Sequence, residues 1–159
     1  MDVRRAMASE AAIVARLNRH VQQLHADAAP RLFKQPGDGI GAQVFAELIA
    51  RPDTHVLIGY ADGEPVGYVI AQVVHRPEHP FRHALDLVYV DQIAVDPAHR
   101  RRGYGARLLR EAVALAEAAG IRRVELDVWA FNAGARRFFA GQGFGVFNER
   151  MELETGSEA

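Results

Sequence analysis

None of the 159 residues is a cysteine. Disulfides, thiolate metal sites and cysteine nucleophiles are therefore excluded. Lysine is almost as scarce, with Lys34 the only one. Charge of one sign is also missing. Nineteen Lys and Arg against 20 Asp and Glu leave a formal net charge of −1. That argues against bulk attraction to nucleic acid or a membrane surface, so any anion site must be local. No apolar run approaches the ~20 residues of a membrane span. Residues 11–17, AAIVARL, carry Arg16 inside the run and Glu10 ahead of it, which does not fit a secretory signal. The expectation is a cytoplasmic protein with no nucleic-acid or membrane partner.

What is present is ordinary for a globular domain: 49% hydrophobic and 25% charged residues. A chain of this length buries roughly 70% of its unfolded surface, so it needs no staples. One domain is expected over residues 1–154, followed by a polar tail, 155–159. Periodicity predicts the order β-α-α-β-β-β-α-β-α-β. DVRRAM reads as a short strand, and Ser9 as the N-cap of a helix over residues 9–27, with Ile13, Leu17, Val21 and Leu24 at helical spacing. DAAPRLFKQPGDG reads as a loop, and AQVFAELIA as a helix ended before Pro52. THVLIGYA and EPVGYVIAQVV are strands joined by Asp62-Gly63, a hairpin signal. HRPEHPFRHA is a proline-broken loop, and LDLVYVDQIAV a long strand. Leu108, Leu109, Ala112, Leu115, Ala116 and Ala119 form a helical stripe that stops at Gly120. VELDVWA alternates like a half-buried strand, Asn132 caps a helix through AGARRFFAGQ, and FGVFNERMELE is a last strand.

The stretch DPAHRRRGYGARLLREA, Asp96 to Ala112, carries the first chemical signal. A strand, a glycine-bearing turn and a helix N-terminus together make an anion site. The first N–H groups of a helix have no intrahelical partner, and the macrodipole adds partial positive charge. Gly103 and Gly105 remove the Cβ atoms that would hold a phosphate off the backbone. Arg100, Arg101 and Arg102 supply charge-assisted bonds to further oxygens. A P-loop is excluded because no Gly-Lys-Ser/Thr is present. A dinucleotide fingerprint is excluded because Leu108 stands where its third glycine belongs. What remains is Arg-x-x-Gly-x-Gly, Arg100 to Gly105, with DQIAVDPAHR ahead of it and NAGARRFFAGQGF about thirty residues on.

With these motifs, clearest from Tyr89 to Phe144, the chain resembles the GNAT superfamily of N-acetyltransferases. The resemblance implies an α/β fold with a mixed, mostly antiparallel sheet of six or seven strands and helices on both faces. It implies transfer of an acetyl group from acetyl-CoA to a primary amine, by direct attack in a ternary complex and without a metal. The turn from Arg101 through Arg102, Gly103, Tyr104 and Gly105 to Ala106 would hold the CoA pyrophosphate. Ile93, Ala94 and Val95 would pair with the pantetheine arm, and Asn132 would touch the cofactor. The strands Leu85–Val95 and Val124–Ala130 would splay around the thioester. A homodimer is plausible on the same grounds, with the terminal strand offering an edge.

The acceptor amine arrives protonated, so attack needs a base. Asp91 is the first candidate, a charge inside an otherwise apolar strand two residues before the pantetheine segment; its plain alternative is a carboxylate serving a strand bulge. Asp86, Glu125 and Asp127 follow. Members of the family often carry a tyrosine general acid where this chain has Phe139. Tyr89 and Tyr104 are the nearest replacements, and unaided thiolate departure is the other route. The substitution motivates a rival reading, an acyl-CoA-binding protein without catalysis. An RNA-binding module built on the arginine run is a second rival, opposed by the neutral charge.

His75, His79 and His83 recur every fourth residue, but Pro77 and Pro80 forbid the helix that would align them on a metal. Trp129 is either a pocket wall or packing. His25, Pro30, Phe33 and Lys34 lie in the segment that covers the acceptor site in the family, as lid or as solvated loop. Arg136 and Arg137 read as the wet face of their helix. The acceptor, a small-molecule or peptide amine, is left open among polyamines, aminoglycosides, amino acids and protein N-termini.

Overall fold

The structure is a computed structural model that describes residues 1–37 and 41–155. The end of the first loop, 38–40, and the tail from 156 on lie outside the described residues. The chain divides into two compact units, Met1–Asp127 and Val128–Ala159.

The first unit holds a five-stranded sheet in the order β1-β2-β3-β4-β5. Its strands are β1 (Asp2–Arg5), β2 (Thr54–Ala61), β3 (Glu64–Arg76), β4 (Leu85–Val95) and β5 (Val124–Leu126). Neighbours are antiparallel except β4 and β5, which are parallel and joined through helix α3 (Tyr104–Ala118). Asp62 and Gly63 both take positive φ, 53° and 82°, which is the twist-matched two-residue hairpin their sequence predicts.

Strand alternation sorts the core into two layers. Val56, Ile58, Tyr68, Ile70 and Ala94 pack with Val14, Leu17 and Phe45 of α1 (Ala11–Ala28) and α2 (Ala42–Ala50). Val69, between Tyr68 and Ile70, is buried on the opposite face. There α3 approaches β3 and β4, with Leu108, Leu109, Ala112 and Ala116 buried. Helices therefore cover both faces, as the resemblance implied. No described helix is long and apolar enough to cross a membrane.

Four expectations need correction. The sheet has five strands among the described residues, not six or seven. VELDVWA pairs only over Val124–Leu126, because its ladder with β4 stops at Val90, where β4 bulges. FGVFNERMELE forms no strand, and Val146, Met151 and Leu153 stand exposed. β-propensity alone does not make a strand without a ladder partner. Ser9 does not cap α1 either. A 3-10 turn, Ala8–Glu10, precedes that helix, and the acidic side chain of Glu10 takes the Met7 N–H at 2.9 Å.

Among the described residues of the first unit, Glu10 is the most heavily hydrogen-bonded carboxylate. It accepts from Arg4 at 2.9 and 2.6 Å and from the Tyr60 hydroxyl at 2.7 Å. These donors, Arg4 foremost, lower its pKa from 4.5 to about 2, against a burial effect of opposite sign. A folded-state pKa below the unfolded one stabilises the protein above about pH 4.5, and that stabilisation fades as pH falls toward 2. Glu10→Gln should therefore lower the melting temperature at neutral pH and flatten its fall in acid. Parallel melting curves against pH for parent and variant would dismiss this account.

In the second unit, Asn132 caps α4 (Ala133–Gly141), its Oδ1 accepting from the Ala135 N–H at 3.0 Å. The helix buries Phe139, whose ring meets those of Phe138 and Phe144 edge-on at 5.1 and 5.9 Å. Phe139→Ala should cost roughly 3–5 kcal/mol, read by urea unfolding, and a cost near zero would remove Phe139 from the core.

Candidate active site

The anion turn is built by the exit of β4. Asp96 ends the strand and caps a 3-10 turn, Pro97–His99, by accepting the Ala98 N–H at 2.9 Å. The chain then takes two left-handed steps, Arg101 at φ 63° and Gly103 at φ 77°. A non-glycine residue there costs ~1 kcal/mol or more, so Arg101 stores strain in the turn. Gly103 is the N-cap of α3 and has no side chain to cap it. The first backbone bond of the helix is Arg107 N–H to Gly103 carbonyl at 3.1 Å. The N–H groups of Tyr104, Gly105 and Ala106 thus lack intrahelical acceptors. Arg100, Arg101 and Arg102 are exposed beside them, and Tyr104, Gly105 and Ala106 are half-buried.

Upstream, β4 carries a bulge. Val90 lies opposite Ala71, and Gln92 lies opposite Ile70, so Asp91 is the extra residue. Pairing with β5 ends at Val90↔Leu126. Ile93, Ala94 and Val95 still pair with Val69, Tyr68 and Gly67 of β3, but among the described residues their β5-side edge has no strand partner. The open edge begins directly after the bulge, a feature that commonly ends strand pairing.

The carboxylates separate by their partners. Glu125 is buried between Arg76 at 3.1 Å and Arg123 at 2.6 Å. Asp86 meets His75 Nδ1 at 2.8 Å. Asp127 accepts the Tyr89 hydroxyl at 3.0 Å. Among the described residues Asp91 has only the Gln92 Nε2, at 3.4 Å. Its carboxylate reaches solvent at the rim of the bulge, yet the protein crowded around it pushes its pKa above the ordinary value, with Gln92 and Arg51 pulling the other way. Burial first, and then Asp127, pushes the Tyr89 phenol up to about 12. It is therefore a neutral O–H donor at physiological pH.

Other expected residues lie in the second unit or in the loop before β4. Asn132 and Phe139 belong to the second unit, where one caps α4 and the other is core. Trp129 stacks on Phe131 with ring centres 5.9 Å apart. His79 bridges to Arg82 through backbone bonds, and His83 lies 3.8 Å from Glu78. Arg136 and Arg137 are exposed on α4. Sequence reasoning missed Asn18, Tyr68 and Gln92, which are hydrogen-bonded to one another beneath the bulge. A signal existed for Asn18: it is polar, yet sits four residues after Val14 and beside Leu17 on the stripe that faces the sheet.

Residues 19–144 match the family model described as the acetyltransferase (GNAT) family. Over 80 residues the chain is 41% identical to an L-2,4-diaminobutyric acid acetyltransferase of Streptomyces avermitilis, a match covering 50% of this chain and 41% of that protein. The chain thus spans less than half the length of that relative. It is 27% identical over 133 residues to the L-amino acid N-acetyltransferase AaaT of Escherichia coli K12, covering 79% of this chain and 75% of the other. The crystallised tetramutant of BH1408 protein from Bacillus halodurans superposes with a TM-score of 0.93 at 25% identity, covering 98% and 100% of the two chains.

Proposed function

The chain belongs to the acetyltransferase (GNAT) family, and from that premise we propose that it moves an acetyl group from acetyl-CoA to the primary amine of a small molecule. The observation that carries this reading is the open edge of β4 from Asp91 to Val95, which runs into the uncapped N-terminus of α3. One ligand with a strand-like amide arm and a pyrophosphate satisfies both. The free edge pairs with the arm by main-chain hydrogen bonds, as an added strand does. The amides of Arg101–Ala106 and the guanidinium groups of Arg100–Arg102 take the pyrophosphate.

Asp91 is the base in this proposal. Its carboxylate takes the proton of the ammonium, and the free amine attacks the thioester carbonyl. A C–N bond forms, the C–S bond breaks, and the electron pair leaves on the CoA sulfur. Tyr89, held neutral beside Asp127, turns its single O–H from that carboxylate to the developing negative charge, and the thiolate takes, through water, the second proton that the attacking nitrogen gives up. Phe139 has no proton to give. Its occupation of the tyrosine slot fits this scheme because a thiol is an acidic leaving group. Phe139→Tyr should then change turnover by less than about tenfold, equivalent to about 1.4 kcal/mol of barrier.

The relatives whose names specify amino-acid substrates make 2,4-diaminobutyrate and L-amino acids the first acceptors to try, beside polyamines, aminoglycosides and a peptide N-terminus. The test is thiol release from acetyl-CoA with each amine, with the product confirmed by mass. Turnover with at least one amine is the expected result. Tight acetyl-CoA binding with no turnover across the panel, and activity gained in Phe139→Tyr, would overturn it in favour of a binder.

A further inference from the structure

Three polar side chains lie between α1 and the sheet, and the steps above give them no role. Asn18 and Tyr68 are buried, and Gln92 is half-buried. Asn18 Nδ2 donates to the Tyr68 hydroxyl at 2.8 Å and to Gln92 Oε1 at 3.2 Å. The Tyr68 O–H also donates to Gln92 Oε1, at 3.0 Å. Gln92 Oε1 thus accepts from two protein donors. An amide carries its oxygen and its NH2 on opposite sides, so the Nε2 of Gln92 faces the other way, where Asp91 Oδ2 lies at 3.4 Å. The reversed amide would set its oxygen against a carboxylate, two acceptors with no proton between them.

The bulge makes this meeting possible. Neighbouring side chains of an unbroken strand point to opposite faces. Tyr89 lies opposite Gln72, and Gln92 lies opposite Ile70, so both fall on one face although they are three residues apart. The extra residue between Val90 and Gln92 brings the Asp91 and Gln92 side chains within reach of each other.

We propose that Asn18 and Tyr68 are positioning residues, which fix the Gln92 amide so that its Nε2–H orients the Asp91 carboxylate at the open edge of β4. The proposal rests on the reading of Asp91 as the base. A purely packing role for a buried tyrosine needs no hydroxyl, whereas this one has both a donor and an acceptor in place. Among the described residues, the charged and titratable groups around Asp91 are Arg51 at the end of α2, Tyr68 from β3 and Tyr89 on β4 itself. Arg51 favours the ionised carboxylate, and so does Gln92.

The test is Tyr68→Phe, which removes one oxygen and keeps the ring. The readout is the titration of the Asp91 carboxyl by carbon-13 NMR, beside the pH profile of kcat/KM, CoA affinity and the melting temperature. A Gln92 amide freed to turn gives up its hydrogen bond to the ionised carboxylate. The Asp91 midpoint should then rise by about half a pH unit, and the acid limb of kcat/KM should rise with it, with CoA affinity unchanged. Asn18→Leu should act in the same direction. In a Gln92→Met background, Tyr68→Phe should move neither, since the effect runs through that amide. A Tyr68→Phe protein that folds, binds CoA and leaves the Asp91 titration in place overturns the proposal. So does an equal shift in the Gln92→Met background. A titration that moves while the rate profile does not would uphold the hydrogen-bonded chain and remove Asp91 as the base.

Discussion

Asp91→Asn is expected to lower kcat at neutral pH by roughly a hundredfold to ten-thousandfold, the range of a positioned general base, with acetyl-CoA affinity unchanged. The amide keeps the shape of the carboxylate and cannot take the proton of the ammonium. Stability should move the other way. Crowding raises the Asp91 pKa above its ordinary value. A raised folded-state pKa means that the neutral form is favoured on folding. That advantage is complete at low pH and is lost as pH rises through the folded pKa. At neutral pH the charge is a burden, so Asp91→Asn should melt no lower than the parent. Lost turnover with retained or raised stability marks a group kept for chemistry. Turnover and a pH profile equal to the parent's would make Asp91 a structural carboxylate of the bulge. Asp127 would then be tested next, since Glu125 is committed to Arg76 and Arg123.

The elements read most directly from the sequence are those with strong local punctuation. AQVFAELIA, bounded by Gly41 and Pro52, is α2 to the residue, and LDLVYVDQIAV is β4. Asp62-Gly63 fixed the hairpin because both positions need positive φ. The errors fall where structure depends on a distant partner. β5 is shortened by a bulge in β4, a strand on the other side of α3. The apolar alternation of residues 144–154 promised a strand without saying what it would pair with. Ser9 lost its expected role to Glu10, whose acid is recruited by Arg4 and Tyr60, the latter fifty residues away.

For the site, the turn was legible because glycines and arginines at fixed spacing state a local geometry. The left-handed Arg101 was not, since no residue type announces it. Asp91 was legible as a charge in an apolar strand, but the carboxylates could not be ranked until their partners were known. Asp86, Glu125 and Asp127 differ from Asp91 in having a histidine, two arginines and a tyrosine on them. The Asn18–Tyr68–Gln92 triangle joins residues 24 to 74 positions apart. One sequence holds no trace of such a pairing beyond a polar residue on an apolar helical stripe.

Gly105→Val should weaken CoA binding by at least about a hundredfold, ~2.7 kcal/mol, with the fold intact. Gly105 is the second residue of α3 and does not share the positive φ of Gly103. Valine is thus compatible with its backbone, and the helix should be no less stable, since glycine is the poorer helix former. Gly103→Val would not serve, because strain at φ 77° would mix folding with binding. A Cβ leans toward the N-terminus of its helix. The two methyls that Gly105→Val adds would therefore crowd the N–H groups of Tyr104, Gly105 and Ala106, the proposed seat of the pyrophosphate. Gly105→Ala should show a smaller loss in the same direction. Pantetheine, which lacks the pyrophosphate, should bind parent and Gly105→Val alike, which separates loss of the anion contact from damage to the β4 edge. Calorimetry with CoA and pantetheine decides it. Equal CoA affinity in a Gly105→Val protein that melts like the parent would take the pyrophosphate away from this turn.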